Sequence, residues 1–469
     1  MQRELIWKGA FLSLCLTAGD CFADLPDTQI TIQNAPPGTV GLGFALRRGT
    51  SPYVGVENIS STLSDSKADL IPLYLYEGKW LFVHGTSAGV HLFGNDWLKI
   101  DALTEYRFDR LESNASDYFS GLHDRKQTID GGLSVAVHGD WGALSTTWVN
   151  DLLGNHNGSE WDLTYRYPWQ SGRWSVSPFI SYIYQDSDLT DYYYGVAVDE
   201  ARHDRPAYQA GSAAFWRAGI NTSYHFTRRL MLFSNIAFQQ VDQEIYDSPL
   251  VDEEQLNSVT FGFAYLFGNV MDDSTKQNYS ARAGEWSWRV NAGYQAQGTF
   301  HRTHRGHLER SKDLDAYVGG LTLGKLLSDG RYIDYWGKLS LNRRFENNYQ
   351  SDFWEYNAYV MAMTSIHSPW SHRELFRYGL GVGFSYASRV PYIEQVKQGK
   401  SDRNTSHFLN YLEAQLDVPL RLLFDSHAVK NCYVGMTLIH RSGVFANSDL
   451  LNNVAGGSDM VTAHVECKR

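Results

Sequence analysis

The chain has 469 residues, with 41 Lys and Arg against 52 Asp and Glu and a formal net charge of −11; that balance argues against nucleic acid as a partner. Aromatic residues make up 14% of it, with 29 Tyr and 14 Trp, yet the mean hydropathy is only −0.37. Past the N-terminus no segment offers the roughly 20 apolar residues of a membrane helix. Low hydropathy with abundant aromatics and glycine instead points to a transmembrane β-barrel, polar inside and aromatic at its rims.

The N-terminus carries Arg3 and Lys8, an apolar run from Ala10 to Ala18, and then Gly19-Asp20-Cys21-Phe22-Ala23. The run is too short to span a bilayer, and small residues precede a cut after Ala23, so residues 1–23 are expected to be a secretory signal peptide. Leu14 and Asp20 stand before Cys15 and Cys21 where a lipoprotein signal needs a small residue. Both cysteines are expected to leave with the peptide.

From there the chain beats at period two. Gly85-Thr86-Ser87-Ala88-Gly89 fits the G-x-S-x-G pattern of a nucleophile elbow, which needs a helix after the serine. Val90-His91-Leu92-Phe93 continues as strand instead, so a tight turn is expected there. Further on, Trp161, Leu163, Tyr165 and Tyr167 alternate with Asp162, Thr164 and Arg166. Trp174, Val176, Ile180, Tyr182 and Tyr184 alternate with serines, and Val259, Phe261, Phe263, Tyr265 and Phe267 repeat the beat. Helical spacing is nowhere sustained.

Connections alternate between tight and long. Gly139-Asp140, Gln170-Ser171-Gly172, Thr227-Arg228 and Ser328-Asp329-Gly330 are turns; residues 110–126, 186–212, 241–254 and 390–404 are long and polar. Short periplasmic turns with long outer loops are the pattern of outer-membrane barrels. A polar break over residues 269–284 separates about twelve strands, within residues 37–268, from about eight, within residues 285–469. The expectation is all-β, one or two antiparallel outer-membrane barrels, with that linker and the C-terminus periplasmic. Gly379-Leu380-Gly381-Val382-Gly383 lies on a strand with no helix behind it, so it reads as barrel curvature and not as a nucleotide loop. Zinc spacing such as H-E-x-x-H is lacking, and no cofactor or metal is expected.

The last hairpin carries the chemistry. On Cys432 to Ser442, one face presents Val434, Met436, Leu438, His440 and Ser442, the other Tyr433, Gly435, Thr437, Ile439 and Arg441. On Asp459 to Cys467, Asp459, Val461, Ala463, Val465 and Cys467 share a face. Alternation therefore ends a lipid-facing apolar band in histidine, serine and aspartate at the outer rim. His440 and Ser442, two apart on one face, have Cβ atoms about 7 Å apart. A histidine base, a serine nucleophile and an orienting carboxylate make an esterase triad. Asp459 is the expected acid, with Asp449 in the loop as competitor. Cys432 and Cys467 fall nearly opposite one another at the hairpin's far end, where either a disulfide or two small lipid-facing residues would fit.

Two resemblances overlie this reading. Asp191-Tyr192-Tyr193-Tyr194-Gly195-Val196, Arg205-Pro206-Ala207-Tyr208, Ala218 to Phe226, Leu232-Phe233, Asp247-Ser248-Pro249-Leu250-Val251 and Ala264-Tyr265-Leu266-Phe267 occur in order. Through them residues 37–268 resemble the MipA/OmpV family of outer-membrane proteins. The resemblance implies a barrel that scaffolds murein-synthesising and murein-cleaving enzymes, and it supplies no catalytic residue. The tyrosine cluster fits an interfacial girdle equally well.

His440-Arg441-Ser442 matches the His-x-Ser of PagL-type lipid A deacylases, eight-stranded barrels with a serine–histidine–acid triad. Gly443 follows where that family has Asn, and Asp459 stands for its Glu. This resemblance implies hydrolysis of an acyl ester of lipid A or a related envelope lipid, with lipopolysaccharide as the partner. A murein-enzyme scaffold or a passive channel is the alternative.

Overall fold

The computed structural model describes residues 39–56, 69–113, 115–227, 229–268, 285–296, 308–311, 314–328, 333–346, 348–371, 373–399, 405–424, 429–443 and 457–469. The expected signal peptide, the 269–284 linker and Asp449 lie outside them. The chain divides into two compact units, Met1–Leu266 and Phe267–Arg469.

The first unit is a closed twelve-stranded antiparallel barrel. Its strands are β1 (Thr39–Gly49), β2 (Asp69–Glu77), β3 (Leu81–His84), β4 (Ser87–Gly94), β5 (Leu98–Arg107), β6 (Thr128–Gly139), β7 (Gly142–Asp151) and β8 (Ser159–Arg166). A three-residue β9 (Trp169–Ser171) only extends a hairpin. The ring then continues through β10 (Trp174–Gln185), β11 (Ala213–His225), β12 (Leu230–Gln240) and β13 (Gln255–Gly268), which lies beside β1. The period-two reading holds in space: Val259, Phe261, Phe263 and Tyr265 are exposed on the outside, whereas Ser258, Thr260 and Ala264 are buried inside. Gly85, with φ +69°, makes the tight turn between β3 and β4, so Ser87 opens a strand and not an elbow helix.

The long connections differ from the polar loops expected. Those after β1, β5, β10 and β12 carry a shared apolar cluster that includes Tyr53, Leu111, Phe119, Leu189, Tyr193, Tyr194, Ile245 and Leu250. Two short helices belong to it, α1 (Ser187–Tyr194) and α2 (Gln243–Tyr246). The Asp186 side chain caps α1 by accepting from the Leu189 N–H, a local bond that period-two scanning does not register. Helical spacing then turns Leu189, Thr190, Tyr193 and Tyr194 to one buried face. Tyr193 is only 1% exposed, so the girdle reading fails for it; the ring anchors a folded cap.

The second unit is a closed eight-stranded barrel: β14 (Trp286–Gln295), β15 (Tyr317–Ser328), β16 (Asp334–Phe345), β17 (Phe353–His367), β18 (Glu374–Ala387), β19 (Phe408–Pro419), β20 (Cys432–Ser442) and β21 (Asp459–Lys468). β21 pairs back onto β14. The chain thus forms two barrels, the alternative that strand counting alone left open, because each sheet closes on its own first strand.

An eight-stranded interior is just wide enough to be filled by side chains, and here the filling is charged. Arg289 donates to Glu413 (2.6 Å) and Gln415 (2.9 Å); Lys338 donates to Glu466 (3.0 Å) and to Gln415 (3.0 Å). Arg377 pairs with Asp417 and, at 3.1 Å, with Glu466. Three cations thus face three carboxylates, the balance that buried charge requires. The glycines of β18 serve this interior. A Cβ on Gly379 would strike the Met363 sulfur, and one on Gly381 the Tyr359 ring, so they make room for side chains crossing from β17.

Candidate active site on the final hairpin

β20 and β21 pair antiparallel with His440 directly opposite Asp459 and Cys432 opposite Cys467. Their two sulfurs are bonded at 2.08 Å. At the other end of the hairpin, His440 Nδ1 lies 2.8 Å from Asp459 Oδ1. Val434, Met436, Leu438, His440 and Ser442 are partly or fully exposed, while Thr437, Ile439 and Arg441 are buried in the interior. His440 and Ser442 therefore stand on the outward face, at the end of the barrel from which the long connections leave.

Several contacts hold Asp459 in place. Its carbonyl accepts from the Ala296 N–H (2.9 Å) and from Gln295 Nε2 (2.6 Å). The preceding Ser458 accepts from the Arg441 N–H through its carbonyl (3.0 Å) and donates through its hydroxyl to Glu394 (2.6 Å). Glu394 belongs to α3 (Tyr392–Gly399), in the connection after β18, and also takes the Arg441 guanidinium at 3.1 Å. Gly457 packs so tightly that a Cβ there would strike the Arg441 carbonyl. Gly457-Ser458 before the strand is thus a close-approach segment that sets where the carboxylate sits. Neither Glu394 nor Gly457 stood out in the sequence, because their role depends on α3, a helix in a different connection of the barrel.

A second histidine–acid pair provides a contrast. His464 Nδ1 lies 2.7 Å from Thr437 Oγ1, and its Nε2 lies 2.7 Å from Asp417 Oδ1. This looks like a triad too, but the His464 side chain is wholly buried, whereas that of His440 is 15% exposed. Only the outward pair can meet a lipid.

Among the described residues two acid–histidine groups have metal-like spacing, and both are internally compensated. In the first, His156 Nδ1 accepts from the Gly158 N–H (3.0 Å), so its Nε2 carries the proton and faces Asp130 (3.1 Å), which also takes Arg107 (2.7 Å). Asp151 beside it accepts from Thr128 Oγ1 and the Leu153, His156 and Asn157 N–H groups. In the second, Asp417, His464 and Glu466 already face Arg377 and Lys338.

Comparison with known proteins places the first unit. Residues 42–267 match the family described as MltA-interacting protein MipA. The MltA-interacting protein of Escherichia coli K12 is 28% identical over 218 residues, 45% of this chain and 88% of that protein. Outer membrane protein OmpV of Vibrio cholerae is 29% identical over 156 residues, 33% of this chain and 61% of that protein. The MipA match stops where β13 ends, so it says nothing of the second barrel. LpxR from Salmonella typhimurium aligns with 66% of this chain and 88% of its own, at TM-score 0.18 and 9% identity, too loosely to carry an argument. The two closed barrels, with the first unit's similarity to these outer-membrane proteins, make this an outer-membrane protein of the Gram-negative type.

Proposed function

We propose that the second barrel hydrolyses an acyl ester of lipid A or a related envelope lipid, with Ser442 as nucleophile, His440 as base and Asp459 as the group that orients it. The observation that carries this reading is the His440–Asp459 bond on the outward face, with the histidine partly exposed. An ionised carboxylate only accepts, so Asp459 draws the proton to Nδ1 and leaves the Nε2 lone pair for the serine. Ser442 Oγ attacks the ester carbonyl as its proton passes to Nε2, and the carbonyl electron pair moves onto oxygen. Collapse of that intermediate expels the alcohol, which takes the proton from His440, and water then releases the acid from the acyl-serine by the same route. The apolar band below the site, including Leu438, Met436 and Val465, would keep the acyl chain in the membrane while its ester reaches the rim.

The decisive experiment is mass spectrometry of lipid A from cells carrying the wild-type protein or Ser442→Ala. A lost acyl chain that returns in the variant is expected. Identical lipid A, with the wild-type protein shown to be in the membrane, would end the enzyme reading.

A second reading is favoured by the MipA match: the first barrel would hold a murein synthase or hydrolase, the scaffold role that the MipA/OmpV resemblance implies, and its relative is named MltA-interacting protein. Crosslinking of the intact protein should then recover a murein enzyme through the first unit, and Ser442→Ala should not alter the yield. Recovery of none would remove this reading.

A further inference from the structure

The cap of the first barrel covers a cavity of about 50 Å³, in a different unit from the hairpin site. Its wall comes from β10, β11, β12, β13 and β1, which are neighbours in the ring. Gln185, Phe215, Arg217, Gln239, Leu256 and Arg47 line it in that order, each on the inward beat of its strand. Register ties the row together, with Arg217 opposite Gln239 and Gln239 opposite Leu256. The cap's apolar cluster contributes Tyr53, Tyr194 and Ile245. Phe108, Asp109 and Arg110, just past β5, complete the lining.

Among the described residues that lining carries three guanidiniums and one carboxylate. Arg47 and Arg110 are 2% and 6% exposed. Arg47 pairs at 3.3 Å with Asp69, which is not on the lining, and lies 4.1 Å from the centre of the Phe108 ring. Asp109, the one lining carboxylate, is shared with Arg107 at 3.3 Å. The nearby Glu160 takes the Gln185 amide (2.8 Å) and Arg107 (3.1 Å). Arg217 donates through Nε (3.0 Å) and Nη2 (2.8 Å) to a neutral acceptor, Gln239 Oε1. Cations therefore outnumber acids around a small enclosed space, where charge is weakly screened. A guanidinium fork matches the two oxygens of a carboxylate. The other lining residues, Phe215, Ile245 and Leu256 among them, offer rings and hydrocarbon.

Size narrows the ligand. One water needs about 10–15 Å³ of such space, so the cavity takes roughly three to five groups of that size. A sugar, a nucleotide or a long acyl chain is too large. A carboxylate of about two to four carbons fits. We propose that this cavity binds a short-chain monocarboxylate, its oxygens towards the guanidiniums and its carbon tail against Phe215, Ile245 and Leu256. Apolar walls with a few convergent polar groups are the usual make-up of a small-molecule site. The proposal concerns the first barrel alone and does not depend on Ser442.

The test titrates the full-length protein, in detergent micelles at neutral pH and constant ionic strength, with sodium propionate in a calorimeter. Propionamide, the uncharged analogue of the same shape, and inorganic phosphate are the comparison probes. Arg217→Met removes one guanidinium, and Leu256→Trp fills the space. Heat-modifiable mobility on gels reports barrel folding, and Arg217→Met, at a half-buried position, decides alone if Leu256→Trp does not fold. Propionate should bind saturably at one site and propionamide should not. Arg217→Met should weaken propionate binding by about 10–100-fold, the range for a hydrogen bond to a charged group, and Leu256→Trp should abolish it. Absence of saturable propionate binding, or equal binding of propionamide, overturns the proposal. Phosphate binding in place of propionate overturns the carboxylate assignment. Unchanged affinity in folded Arg217→Met means that any binding lies elsewhere, and overturns the site.

Discussion

His440 and Asp459 meet across the final hairpin, Nδ1 to Oδ1 at 2.8 Å, while Arg441 turns to the opposite face and pairs with Glu394 at 3.1 Å. Adjacent residues on one strand thus do separate work. His440 forms the outward polar edge, and Arg441 ties the hairpin to α3 and to the segment that carries Asp459. The site is part of the barrel wall, with its supports on the inner side.

If Asp459 orients His440, Asp459→Asn should fold normally and lose most of its activity. The amide can offer an N–H to the ring, favouring the wrong tautomer, and it cannot stabilise an imidazolium. The analogous change in a serine protease, a known example, costs about 10⁴-fold. Turnover of a short-chain ester in detergent measures it, with Asp449→Asn expected near wild type. Full activity in Asp459→Asn with loss in Asp449→Asn would transfer the role to the loop.

Gly457→Ala tests the close approach. The new Cβ would press on the Arg441 carbonyl, which is backbone and cannot swing aside. A shift of Ser458 and Asp459 should follow, with at least a tenfold fall in kcat and a cost of about 1–3 kcal/mol. Gly399→Ala is the control, since a Cβ there meets nothing within 4 Å. Equal activity in both variants would mean that Gly457 does not set the position of the acid.

The charged interior of the second barrel should be sensitive to single deletions. Arg289→Met removes the guanidinium that reaches Glu413 at 2.6 and 2.9 Å and leaves a buried carboxylate without its cation. Breaking a buried pair from one side costs about 3–5 kcal/mol, whereas replacing both members with apolar groups is often far cheaper. Urea midpoints of the single variant and of Arg289→Met with Glu413→Leu should show the double closer to wild type. A single variant as stable as wild type would show that the network contributes little.

The cap of the first barrel has an acid limit. Burial opposes ionisation of Glu200, but two Arg125 hydrogen bonds and the His123 and Ala197 N–H groups outweigh it and hold the carboxyl at about 2. A lowered folded value contributes stability that is complete above the unfolded carboxylate range, near pH 4.5, and is lost as pH falls towards 2. The near-UV circular dichroism of the cap tyrosines should therefore hold from pH 7 to about 4.5 and decline below it. Glu200→Gln should be weaker at pH 7 and lack that part of the decline. An unchanged profile would remove Glu200 from the cap's acid response.

Much of this was legible in the sequence because β-structure in a membrane is written at period two. Aromatics such as Phe261 and Phe263 on one beat and Ser258 and Thr260 on the other determine which face meets lipid, and the same parity places His440 and Ser442 on the outside. Tertiary structure decided the rest. Whether twenty strands make one ring or two depends on which edges pair, β13 with β1 and β21 with β14, and local pattern holds no record of partners so far apart. The register that brings Asp459 opposite His440 was open to a one-residue slip that would have reversed its face. It is held by long-range contacts from Glu394, Gln295 and Gly457. The helices of the cap escaped notice for the same reason: their apolar residues are buried against loops from elsewhere in the chain, and the local cap bonds at Asp186 and Asp242 were their sequence marks.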